Sequence, residues 1–151
     1  MEIKNEGFSL LEVLVAIAIL SVGILAAASM QGAATRSNVI ADTRTRATTL
    51  AADRIEKLIS TPIPDWDNPP TALADADGDG QGGLDDIGFD NDPTTQGDAD
   101  NRASDGPYTI YWNVADNLPI TNTKTIRVIV TWQLYGIQGK VSIERVIPRI
   151  N

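Results

Sequence analysis

Residues Phe8–Met30 read FSLLEVLVAIAILSVGILAAASM, an apolar run whose one ionisable side chain is Glu12. As a helix at ~1.5 Å per residue the run is ~34 Å long, enough to cross the ~30 Å hydrocarbon core of a bilayer. A secretory signal is the alternative, and Ala26-Ala27-Ala28 followed by Ser29 even mimics a cleavage site. Against it stand the length of the run, the acid inside it, and a net charge of −1 over residues 1–7, where a signal needs a basic start. The helical pattern then continues. Over 31–61, Val39, Ile40, Ala47, Leu50, Ala51, Ile55, Leu58 and Ile59 share a broad face, while Arg36, Asp42, Arg44, Arg46, Asp53 and Lys57 mostly decorate the rest. No proline interrupts Phe8–Thr61, and Pro62 and Pro64 stop the helix. The expectation is one helix of about 50 residues and ~80 Å, apolar over 8–30 and amphipathic over 31–61. Gly23 is either a close-packing site between helices or a place where the helix loosens.

Glu12 needs a partner, because an ionised acid within an apolar span costs about 2.5–3.5 kcal/mol on insertion scales. Cleavage after Gly7 would leave a new α-amino group on Phe8, one helical turn before Glu12. That group would neutralise the carboxylate within the chain or in a neighbouring helix. A position at the headgroup boundary, where water reaches the acid, accounts for Glu12 equally well from the residues alone.

The chain has 151 residues, 20 acidic and 12 basic, for a net charge of −8, and contains neither histidine nor cysteine. This excludes a disulfide scaffold, thiol catalysis, Cys/His zinc sites and a histidine-based triad, and argues against a nucleic-acid partner. The charge is concentrated: 62–107 holds twelve of fifteen aspartates, one basic residue (Arg102), six of eight prolines and seven of twelve glycines. With neither helical nor strand periodicity, 62–107 reads as a long acidic loop, functional, ion-organised or partly disordered.

From residue 108 the period changes to two. Tyr108, Ile110, Trp112 and Val114 alternate with Thr109, Tyr111 and Asn113; Ile126, Val128, Val130, Trp132 and Leu134 alternate with Arg127, Ile129, Thr131 and Gln133. A third run, Val141–Ile147, follows a turn at Gly136–Gly139. The fold class is therefore α+β: one long N-terminal helix packed on a C-terminal antiparallel sheet of three or more strands over 108–151, with Trp112 and Trp132 as core anchors.

Inside the loop, Asp75-Ala76-Asp77-Gly78-Asp79-Gly80-Gln81-Gly82-Gly83-Leu84-Asp85-Asp86 places carboxylates at positions 1, 3 and 5 and glycine at 6. This is the spacing by which a tight loop aims several oxygens at one Ca²⁺, and it resembles EF-hand-like loops. Asp75, Asp77 and Asp79, the Gln81 carbonyl, Asp85 and Asp86 form the candidate ligand set for structural calcium, with Asp86 where a bidentate glutamate would stand. The flanking prolines and glycines exclude the helix pair of a switching EF-hand. Phe89-Asp90-Asn91-Asp92 and Asp98-Ala99-Asp100 offer further ligands or a second ion. The alternative is a solvated linker extended by self-repulsion.

Gly7-Phe8-Ser9-Leu10-Leu11-Glu12-Val13-Leu14-Val15-Ala16 resembles the cleavage and methylation signature of type IV pilins and their relatives. With Gly23 and Gln31 beyond it, the chain is most similar to minor pilins of the type IV pilus modification (PilV) type. The resemblance implies a leader over 1–7 removed by prepilin peptidase between Gly7 and Phe8, N-methylation of Phe8, and pairing of Glu12 with a neighbouring subunit's amino terminus. It further implies a non-enzymatic subunit, held in the inner membrane by one pass with its N-terminus cytoplasmic. Other pilin subunits are then its partners in a surface pilus, with assembly-priming and adhesion as roles. A minor pseudopilin of type II secretion shares the motif. A reading from another class is a membrane-anchored hydrolase using two aspartates ~5–9 Å apart, although a small sheet and loop leave little room for a cleft.

Overall fold

A computed structural model describes residues 9–149 apart from 93. Among these the element order is α1 (Leu10–Ile59), two 3-10 turns, η1 (Thr71–Leu73) and η2 (Gly83–Asp85), and strands β1 (Asn101–Asp105), β2 (Tyr108–Asp116), β3 (Thr123–Leu134) and β4 (Ile137–Pro148). The chain divides into two compact units, Met1–Ala41 and Asp42–Asn151.

In the first unit the described residues are almost entirely the leading part of α1. Its aliphatic side chains lie open, with Leu10 79% and Leu25 71% exposed. The helix continues unbroken through Gly23, where nothing lies within 4 Å of the position a Cβ would take. Ser21 and Thr35 turn their hydroxyls back onto the carbonyls of Ile17 and Gln31, four residues earlier, which hides two polar groups against the helix itself. By length and composition α1 contains a stretch able to cross a membrane.

The second unit is the expected helix-on-sheet layer. The sheet order is β1-β2-β3-β4, with every neighbouring pair antiparallel. Ala47, Ala51, Ile55 and Leu58 bring the end of α1 onto Tyr108, Ile110, Trp112, Val114, Ile126, Val128 and Val130. These β2 and β3 residues are the alternating set read from the sequence. Val39, Ile40 and Ile59, assigned to the same helical face, are exposed instead. Polar and cationic groups complete the layer. The Tyr108 hydroxyl donates to the Thr43 carbonyl at 3.3 Å, Trp112 Nε1 donates to the Ala72 carbonyl at 3.0 Å, and the Arg54 guanidinium lies 4.4 Å from the Trp112 ring centre.

Three features depart from the sequence reading. First, the acidic segment ends in a strand: β1 pairs with β2, and its sequence NRASD shows no apolar alternation because it is an edge strand held by backbone bonds. Second, the turn after β3 is shorter than Gly136–Gly139. Tyr135 (φ 52°) and Gly136 (φ 78°) make a two-residue hairpin turn with both φ positive, and Gly139 lies within β4 opposite Trp132. A Cβ on Gly139 would sit 2.2 Å from the Trp132 ring, so the indole occupies the space a side chain would need. Third, the middle strands β2 and β3 are covered on both faces. Asn113, Ala115 and Ile129 are buried along with the core-facing set, and Asn113 Nδ2 donates to the carbonyls of Leu84 and Asp86, which brings η2 onto the face opposite the helix.

Candidate functional site

At the start of α1 the Ser9 carbonyl accepts the N–H groups of Glu12 (3.0 Å) and Val13 (3.2 Å), which opens the helix one turn before the acid. Glu12 is exposed in that first turn, where the helix dipole favours a negative charge. It borders a shallow groove with Val13, Ala16, Ile17 and Leu20. Gly7 and Phe8 lie outside the described residues.

The acidic segment converges on a cluster. Asp75, Asp77 and Asp100 each offer an oxygen, and these oxygens all lie within 4.8 Å of one another. Backbone donors hold the arrangement. Asp75 Oδ1 accepts Gly78 N–H at 2.9 Å and Asp77 Oδ1 accepts Asp79 N–H at 3.2 Å, turns that share Gly78 at φ 74° and lead into Gly80 at φ 57°. Asp100, 6% exposed, is fixed from two directions: its Oδ1 accepts Ala76 N–H and its Oδ2 accepts Val114 N–H, both at 2.7 Å. Asn113 then binds the assembly to β2, accepting Asp100 N–H at 3.0 Å while donating to Leu84 and Asp86.

The charges of Asp77 and Asp86 both act on Asp79, which places all three in the same acidic neighbourhood. Asp79 lies across Gly83, where a Cβ would come within 1.8 Å of its Oδ1. The remaining expected ligands go elsewhere. Asp85 Oδ1 pairs with Arg127 Nη1 at 2.8 Å, and Gln81 is exposed, lining a cavity of about 330 Å³ with Leu84, Asp85 and Arg127. Asp90, Asp92 and Asp98 are engaged in turns of their own around Thr94 and Gly88.

Electrostatics at the cluster are unfavourable to ionisation. Burial, then the adjacent Asp77 side chain and the charges of Asp77, Asp86 and Asp75, push Asp79 up to about 7. Burial raises Asp100 to about 6, against the opposing hydrogen bonds from Val114 and Ala76. Asp75 and Asp86 are raised too, by burial first; the charge of Asp77 adds to both, while a backbone bond from Gly78 and the bond to Asp79 respectively oppose it. Arg127 is committed to Asp85 and Glu144, and Lys124 to Asp116. Asp92, outside the cluster, is lowered by its bonds from Thr94. Sequence spacing found Asp75, Asp77, Asp79 and Asp86; it offered Asp100 only as an accessory and missed Asn113. The signal for Asn113 was an amide set between Trp112 and Val114 in a strand.

Residues 4–28 match the family described as the prokaryotic N-terminal methylation motif, a span that includes Gly7, Phe8 and Glu12. The match supports a type IV pilin-like or pseudopilin precursor, and with it a structural subunit rather than an enzyme. Together with the long apolar helix it fits a membrane-anchored precursor that becomes a surface pilus. The chain matches no curated protein and no solved structure.

Proposed function

We propose that the chain is a minor type IV pilin, cut by prepilin peptidase between Gly7 and Phe8, methylated on Phe8, and built into a pilus or the complex that primes one. Before assembly it sits in the inner membrane with its N-terminus cytoplasmic. The observation that carries this reading is the methylation motif at 4–28 leading directly into a helix whose aliphatic side chains are open. Such a surface is stable only in lipid or against other helices. Extraction from the bilayer into a bundle of like helices exchanges one apolar medium for another, and Glu12 sets the register by pairing with the amino terminus of a neighbouring subunit. The sheet and the acidic segment are left for partner pilins or for adhesion.

Mass spectrometry of the mature chain tests the processing: it should begin at N-methylated Phe8, and Gly7→Val should retain the seven-residue leader. Glu12→Ala should be processed yet absent from sheared filaments. A mature chain beginning at Met1, or Glu12→Ala incorporating at the wild-type level, overturns the reading.

A further inference from the structure

The acidic cluster holds an oxygen that nothing in the described chain satisfies. Asp77 Oδ2 has less than 1 Å² of exposed surface and no hydrogen-bond partner. A carboxylate oxygen closed off from water in this way is costly unless a donor or a cation faces it. Asp100 adds an independent observation: a carboxylate 94% buried, held by backbone N–H groups from two separate segments, with an oxygen placed beside those of Asp75 and Asp77. The strongest charges acting on these groups are those of other aspartates, and the nearby bases Arg127 and Lys124 are paired elsewhere.

We propose that one calcium ion binds among Asp75, Asp77 and Asp100, with Asp79 and Asp86 completing the ring of oxygens, and fastens the acidic segment to the face of the sheet opposite the helix. The donor set decides the metal. It is all oxygen and rich in carboxylates, in a chain without histidine or cysteine, which disfavours zinc and other transition metals. Magnesium keeps most of its waters and takes one or two carboxylates, whereas calcium accepts six to eight oxygens in loose geometry. The site differs from a contiguous calcium loop: its third core ligand comes from residue 100, just before β1, and the aspartate beside Asp86 turns away to Arg127. The ion therefore joins residues 75–79 to two stretches, around Asp86 and Asp100, that Asn113 already clips to β2. This inference is independent of the filament role, and either can fail alone.

The test uses the full chain in detergent micelles, stripped with chelator and titrated with calcium chloride or magnesium chloride while tryptophan fluorescence follows thermal unfolding. Calcium should bind with one ion per chain and raise Tm by about 10 °C at ~100-fold excess over Kd; magnesium should give less than half that shift. Asp100→Asn and Asp77→Asn should lose the calcium-dependent shift, whereas Asp85→Asn should keep it. If Asp100→Asn does not fold, Asp77→Asn carries the test alone. Equal melting in calcium and chelator, an equal response to magnesium, or loss of the response in Asp85→Asn with retention in Asp77→Asn overturns the proposal.

Discussion

The leading half of α1 and the acidic segment each carry something the isolated chain does not satisfy, and they differ in what would satisfy it. The helix leaves Leu10, Leu14, Leu20 and Leu25 exposed. Apolar surface of this kind is covered by any apolar neighbour, because the hydrophobic effect has no direction. The acidic segment instead turns carboxylates inward, where Asp77 Oδ2 lacks a partner and Asp79 and Asp100 are raised to about 7 and about 6. A proton, a donor or a cation placed at that one spot answers it. The core of the second unit needs neither, since Ala47, Ala51, Leu73, Ile126, Val128 and Val130 are all fully buried. Among the described residues, the leading helix and the acidic segment therefore differ from that core in kind.

The sharpest way to break this contrast is to truncate aliphatic side chains in different places. Ile55→Ala, under the helix, should lower the unfolding free energy of the second unit by about 2–5 kcal/mol, whereas Ile19→Ala should change it by less than about 0.5 kcal/mol. Denaturant melts of both variants in micelles check this; equal effects would mean that the exposed half already packs within the chain. A charge placed in the helix comes next. Leu20→Arg should oppose membrane insertion by about 2.5–3.5 kcal/mol, visible as loss of carbonate-resistant protein, while Leu20→Ile should be neutral because the contact is non-directional.

The smallest effect concerns protons. Asp79 and Asp100 bind protons more tightly in the fold than in the unfolded chain, whose aspartates titrate near ~3.9. Between those values the folded state holds more protons, so in chelator stability falls as pH rises toward 7. Tm at pH 5 should exceed Tm at pH 7.5 by a few degrees, and saturating calcium should reverse that order because metal and proton compete for the same oxygens. A Tm in chelator that rises with pH would contradict the unfavourable charge at the cluster.

Most of the fold was legible because its elements obey a period. The helix shows in an unbroken 54-residue stretch without proline, Phe8–Thr61, and β2 and β3 in alternation that places Tyr108, Ile110, Trp112 and Val114 on the helix side. The illegible parts rest on contacts between distant segments. β1 exists because β2 offers it a register, and Ile129, on what reads as the outer face, is buried under a covering that no local pattern announces. The candidate site divides the same way. Loop spacing gave Asp75, Asp77 and Asp79, but Asp100 arrives through strand pairing, and nothing in the dipeptide Asp85-Asp86 says that one carboxylate goes to Arg127 while the other stays among the aspartates.

The outer border of the sheet has a bearing on crowding. β4 closes one side with twelve residues whose far backbone edge has no strand beside it among the described residues, and it carries Lys140, Glu144 and Arg145, with Pro148 at its end. Ionised side chains and a terminal proline are what keep such a border from zipping onto an identical one. Where many copies stand shoulder to shoulder, this guards against amyloid-like stacking and leaves the helices to decide how the copies line up.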